Sequence, residues 1–228
     1  MARRDRNIAK TEIYGAFRGF IQSGRAKVTV SSVVEATGMN RKTFYNHFTN
    51  QDELVAWGFR RDLLDTLLGR CDATELLDPP EDPYGFEGLP CYSRTPSGTL
   101  SLDQSLYLSD FQNTFSANRD YYRSLLRTEF SAPFCRYLVE LFRGLFYEDV
   151  EYFLSGRKMP DESKRLVATF FAEGVVHHTI DAFTGLVPQI AVEEGSPVGN
   201  LAHEGMLHIV EAYQNEKSNL YFRKHRLL

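Results

Sequence analysis

The chain has 228 residues, 43% of them hydrophobic and 25% charged, an ordinary globular composition that excludes disorder and fibrous structure. No stretch approaches 18 consecutive apolar residues, which argues against a membrane-spanning helix, and Arg18 interrupts the apolar start behind Arg3-Arg4-Asp5-Arg6, so no secretory leader is expected. Cys71, Cys91 and Cys135 form no CxxC pair, which suits a reducing cytoplasm and excludes a disulfide framework or zinc finger. The net charge of −4 conceals a polarity. Residues 1–61 carry 11 Lys/Arg against 5 Asp/Glu, and the remaining 167 carry 15 against 25. A head of +6 on a body of −10 fits a small module that meets a polyanion, or a chance distribution of surface charge.

Apolar spacing follows a 3.6-residue period almost throughout. A first helix is predicted over about 7–23, with Ile13, Phe17, Phe20 and Ile21 on one face and Gly24 closing it. Thr29 is placed to cap a second helix over 30–37, closed by Gly38, and Asn40 a third over 41–48. Asn50-Gln51-Asp52-Glu53 resembles a capping box and opens a fourth helix to about residue 68. Residues 78–98 then hold five prolines, at 79, 80, 83, 90 and 96, and read as a long loop or inserted excursion. Its Tyr84, Phe86, Leu89 and Tyr92 suggest a lid over the body; a mobile surface excursion is the competing expectation. Helices resume with Leu108, Phe111 and Phe115, then with the stripe Phe134, Leu138, Leu141 and Leu145 beside a second of Phe142, Phe146, Val150 and Phe153. Residues 162–184 are apolar nearly all round, so one face of Phe170, Phe171, Val175 and Val176 is expected to need a partner subunit. A last amphipathic helix is predicted near 199–214. The fold class is all-α.

Helices two and three, joined by a glycine-bearing turn, form a helix-turn-helix, whose second helix enters the DNA major groove. The run from Thr29-Val30 through Ala36-Thr37-Gly38-Met39-Asn40 to Thr43-Phe44-Tyr45-Asn46-His47-Phe48 closely resembles the signature of the tetracycline-repressor (TetR) family of bacterial regulators. The likeness covers about residues 8–60. It implies an N-terminal three-helix DNA-binding domain, taken as 1–50, followed by a helical effector-binding and dimerisation domain over 51–228. Physically, Gly38 permits a positive-φ turn, Met39 plugs the angle between the helices, and Phe44 and Phe48 face inward. Arg41, Lys42 and Thr43 then face outward, toward bases and phosphates. The resemblance adds Tyr45 and His47 as backbone contacts, with Thr29 at a helix N-terminus. Gln51 stands where the family usually has a phosphate-contacting lysine, and Arg3, Arg4 and Arg6 are candidates for a compensating minor-groove arm. Val34 and Thr37 replace small alanines and are expected to space helices two and three slightly apart.

The resemblance further implies a cytoplasmic homodimer on a palindromic double-stranded operator, released as a repressor by a small molecule. The aromatic content (17 Phe, 12 Tyr) suits an apolar or aromatic effector, and the candidate pocket residues are Tyr107, Phe111, Phe115, Tyr122, Tyr137, Phe142 and Phe171. The same aromatics also read as plain core. No metal, cofactor or membrane partner is expected. Glu173, His177 and Asp181 share a helix face at metal-ligand spacing, yet helical histidines are more often structural. Two alternatives stay open: a TetR-like DNA-binding or architectural protein without effector, and an enzyme with a vestigial helix-turn-helix. The second is disfavoured, because neither a nucleophile elbow nor a phosphate-cradling glycine loop occurs.

Overall fold

The computed structural model describes residues 2–25, 27–189 and 192–217, with side chains over 7–215. The head contains α1 (Ala2–Gln22), α2 (Val30–Ala36) and α3 (Arg41–Tyr45), and α4 (Gln51–Leu68) leads out of it. The helix α1 begins five residues before the apolar pattern suggests. The backbone of Arg3, Arg4 and Arg6 is therefore helical, while their side chains lie outside the described residues.

Three polar residues start the next three helices by satisfying amides that have no partner inside a helix. The Ser32 amide donates to the Thr29 hydroxyl at 3.2 Å, the Thr43 amide to Asn40 at 2.9 Å, and the Glu53 amide to Asn50 at 2.8 Å. The Glu53 carboxylate reaches back to the Thr49 amide, 2.6 Å away, one residue beyond the Asn50 amide of the expected box. Ile13, Phe17, Val33, Phe44 and Phe48 are buried together beneath these helices. Val34 is buried too, and it accepts the Thr37 hydroxyl at its carbonyl, 3.0 Å away. Helix α1 lies so close to α4 that a Cβ on Gly58 would sit 2.0 Å from the Tyr14 ring; only glycine fits there.

Between α4 and the next helix the chain makes a short 3₁₀ turn (Ala73–Glu75) and two small antiparallel ribbons, an addition to the helical plan. Strand β1 (Leu76–Leu77) pairs with β2 (Tyr92–Ser93), and β3 (Pro96–Gly98) pairs with β4 (Ser101–Leu102). The segment folds against the body and contributes to its core, since Leu89, Cys91, Tyr92 and Leu102 are buried.

The body continues with α5 (Ser105–Ala117), α6 (Arg119–Leu125), α7 (Ser131–Leu154), α8 (Asp161–Thr184) and α9 (Leu201–Lys217). Helix α7 stops at Ser155, which takes the left-handed conformation, and α8 stops at Gly185 with φ 86°. Helices α7 and α8 pack along their lengths and α9 lies against both. The two faces of α8 differ. Val167, Ala168, Ala172 and Val176 are sealed inside the monomer, whereas Leu166 is 70% and Phe170 68% exposed. Val176, expected at a subunit contact, belongs to the internal core.

Candidate nucleic-acid interface

Gly38 turns the chain at φ 68° between α2 and α3, and Met39 packs against the core at the angle between them. Phe44 (0% exposed) and Phe48 fix α3 from below, so the opposite side of its first turn must face out. Arg41 and Lys42 are exposed there, Thr43 and His47 are half-buried, and Tyr45 is 58% exposed with its ring edge-on to Phe44 at 5.4 Å. Two cations, a phenol and an imidazole on one exposed surface can neutralise phosphates and reach base edges.

Neighbours restrict several of these groups. The Arg41 Nε donates to Ser31 Oγ of α2 at 2.8 Å, and one terminal nitrogen donates to the same atom. That occupies one edge of the guanidinium and leaves its far edge for a forked contact. The Thr43 hydroxyl donates to the Asn40 side chain at 3.2 Å. Thr29 is engaged with Ser32 through both its hydroxyl and its amide, so its first task is capping. The Gln51 side-chain amide donates to the Val28 carbonyl at 3.3 Å, which leaves its second N–H and its carbonyl oxygen uncommitted by that bond.

The head is joined to the body by a polar cluster that sequence reasoning did not single out. The Asp62 carboxylate of α4 accepts the hydroxyls of Tyr14 (3.1 Å) and Tyr122 (2.7 Å), with Arg18 3.7 Å away. Arg18 also donates to Asn118 at 2.6 Å and lies 5.0 Å from the Tyr121 ring centre. Burial raises the Asp62 carboxyl above its ordinary value, although the hydrogen bonds from Tyr122 and Tyr14 and the charge of Arg18 pull it down.

In the body, six of the seven candidate effector residues are buried: Tyr107, Phe111, Phe115, Tyr122, Tyr137 and Phe142. Five of them fill space with one another, while Tyr137 packs on Tyr84 at 5.6 Å. Phe111 meets Phe142 at 4.7 Å, Phe115 meets Tyr122 at 4.9 Å and Tyr107 meets Phe142 at 6.0 Å. Phe171 is apart from them; it is half-buried at the α8–α9 contact, where a Cβ on Gly205 would meet its ring. A cavity of about 10 Å³ among Gln112, Thr179 and Phe183 holds no more than a water-sized molecule.

Other candidates are dispersed. Among the described residues no group of three His, Cys, Asp or Glu side chains comes together as a metal site would require, and His177 Nδ1 lies 3.0 Å from the Glu173 backbone carbonyl. Burial pushes the Cys91 thiol up to about 12, which leaves it inert to oxidants that need a thiolate. No described helix is long and apolar enough to cross a membrane.

Comparison with known proteins bears on both halves. Residues 13–56 match the family model "Bacterial regulatory proteins, tetR family", and residues 105–185 match "Transcriptional regulator C-terminal region". The HTH-type dhaKLM operon transcriptional activator DhaS of Lactococcus lactis subsp. lactis (strain IL1403) is 32% identical over 81 residues, which is 35% of this chain and 38% of that protein's length. A solved structure of a dihydroxyacetone kinase operon activator DhaS aligns over 90% of this chain and 96% of its own, at 17% identity and a TM-score of 0.46.

Proposed function

The chain belongs to the tetR family of bacterial regulatory proteins, and from that premise we propose that it is a cytoplasmic, ligand-responsive repressor that binds a palindromic operator as a homodimer. The observation that carries the proposal is α3. Buried Phe44 and Phe48 hold it so that Arg41, Lys42 and Tyr45 share the exposed surface of a +6 head. Arg41, Lys42 and Thr43 approach base edges, Tyr45 and His47 the sugar-phosphate backbone, and Thr29 and Gln51 the flanking phosphates. Residues 1–50 form the DNA-binding unit and 51–228 the regulatory one, with α4 as the lever between them. Dimerisation uses the exposed apolar face of α8 and α9, where Leu166, Phe170, Leu201 and Ile209 are uncovered. Such a face is incomplete until another apolar surface covers it. The effector, apolar or aromatic, enters among Tyr107, Phe111, Phe115, Tyr122, Tyr137 and Phe142 by prising the rings apart; Phe171, at the α8–α9 contact, lies outside this group.

The closed packing of those rings favours a second reading, in which the body takes no small molecule. The name of the Lactococcus relative, an operon activator, also supports control of the opposite sign. Selection of the full chain on a random duplex library tests the core of the proposal, with enrichment of a two-fold symmetric site expected. No enrichment, or no loss of it in Lys42→Ala, sinks it. Thermal-shift screening with apolar and aromatic small molecules separates the two readings: stabilisation by one of them, with release from the selected duplex, supports the repressor.

A further inference from the structure

The segment between α4 and α5 is fastened to the body at two buried joints. At the first, Arg60 of α4, whose side chain is 0% exposed, is paired with Asp82 and donates to the Leu89 carbonyl. The Tyr137 hydroxyl of α7 lies 3.4 Å from Arg60. Burial works against the charge on Arg60, but the Asp82 carboxylate paired with it and the Tyr137 oxygen that accepts from it hold it ionised. At the second joint, Asp149 of α7, also 0% exposed, accepts the Tyr92 hydroxyl and the Arg94 Nε at 3.0 Å. His203 Nε2 of α9 lies 2.9 Å from the same carboxylate and 3.1 Å from the Tyr92 hydroxyl. Burial keeps Tyr92 protonated, so its proton goes to Asp149 and His203 supplies a second one. The end of the segment is sewn to the start of α9 as well. The Gln104 amide donates to Asn200 at 2.7 Å, and Asn200 donates to Asp103 at 2.9 Å.

Both joints draw on α7, through Tyr137 and Asp149, twelve residues and about 18 Å apart along that helix. The segment therefore runs beside α7: Tyr84 packs on Tyr137 at 5.6 Å, and Glu81, just ahead of the first joint, comes so near that a Cβ on Gly144 would lie 3.5 Å from its carbonyl. One joint ends on α4, which carries the head; the other ends on α9. A plain connector does not need buried ion pairs, which contribute little net stability but favour one arrangement over its neighbours.

We propose that residues 82–104 are a tie bar that fixes α4 relative to α9, and that Arg60, Asp82, Tyr92 and His203 are positioning residues for DNA binding. Because α9 lies on the subunit face in the dimeric reading above, on which this inference rests, the bar sets the distance between the two recognition helices. Half-site spacing is then a property of these joints, while half-site sequence remains a property of α3.

The test is selection of full-length wild type, Arg60→Met and Tyr92→Phe on duplex libraries with a varied spacer between half-sites. Tyr92→Phe is the gentler variant, since its ring keeps the edge-on contact with Tyr107 at 4.7 Å, and Asp82→Asn substitutes if Arg60→Met fails to fold. Wild type should enrich one spacing. Each variant should retain the half-site sequence and lose about tenfold of the preference over spacers one base pair longer or shorter. A change that merely destabilises the fold lowers binding at every spacing alike, and such a result, or an unchanged spacing preference, overturns the proposal. Hydrogen exchange without DNA supplies an independent arm. Tyr92 meets Asp149, His203 and Tyr107, none of them on α4, yet Tyr92→Phe should speed exchange over residues 51–60 about fivefold. Unaltered exchange there also overturns the tie bar. If wild type enriches no paired half-sites, the dimeric reading fails and the exchange arm alone decides.

Discussion

Helices α3 and α8 both keep side chains in solvent, but of opposite kinds. Helix α3 buries Phe44 and presents Arg41, Lys42 and Tyr45; α8 buries Val167, Ala168, Ala172 and Val176 and presents Leu166 and Phe170. A polar outer face is complete in water and gains energy from a polyanion. An apolar outer face is stable only at a cost, and gains from any surface that removes it from water. The two helices thus present surfaces of opposite chemistry on one continuous hydrophobic core.

The largest expected effect tests the inner face of α8. Val176→Glu places a carboxylate at a site with no exposure, and should cost at least about 3 kcal/mol; a thermal melt reads this as loss of the folded monomer. The outer face should behave differently. Phe170→Glu, at a position already 68% exposed, should leave the melt of the monomer nearly unchanged and weaken self-association by about 2 kcal/mol, visible in sedimentation at micromolar concentration. If both variants melt alike and associate alike, the distinction between the faces is wrong.

Next comes α3. Lys42→Ala should weaken binding to the selected duplex by about 1–3 kcal/mol and alter base preference, whereas Tyr45→Phe should weaken all sequences about equally, by about 1 kcal/mol. Fluorescence anisotropy across a salt series should also show a shallower salt dependence for Lys42→Ala. Identical salt slopes would place Lys42 away from phosphate. The smallest effect concerns Asp62, where the head meets the body. Its folded carboxyl titrates above the unfolded value of 3.8, so the folded state holds the extra proton just above that pH. Stability should therefore fall as pH rises through this window and level off above it. Asp62→Asn should flatten that part of a denaturant-based pH profile. A profile that instead rises in the same window contradicts burial as the dominant influence.

The head was legible because its constraints are local. Thr29, Asn40 and Asn50 each cap a helix whose bonded amide is three residues away, and Gly38, Phe44 and Phe48 act within one short motif. The aromatic stripes were legible as buried, but not as packed against each other, because ring-to-ring fit depends on how helices cross. Periodicity marked α8 as apolar all round and gave no sign that Val176 faces in while Phe170 faces out; the neighbours α7 and α9 decide that. The segment after α4 was least legible. Its two ribbons are two or three residues per strand, too short for alternation to register. Its joints span 22 residues for Arg60 and Asp82, 57 for Tyr92 and Asp149, and 111 for Tyr92 and His203. One trace was present: Arg60 follows the apolar run 54–59, and a cation there needs a buried partner somewhere in the chain.

The small ribbon of β3 and β4 lies between the two flanks of this fastened segment, and Pro96, Ser97, Gly98 and Thr99 are exposed at its tip. A backbone cut there would separate two pieces that remain joined by Tyr92 and Arg94 on Asp149, by Tyr107 on the Cys91 carbonyl and by Gln104 on the Ser93 carbonyl, while Arg60–Asp82 and Gln104–Asn200 each stay within one piece. The polypeptide is thus divisible at the ribbon. Residues 1–97 and 98–228, made as separate chains, should reassociate through these bridging contacts, which makes the exposed ribbon tip a place to insert a reporter domain or to split the protein into a two-part sensor.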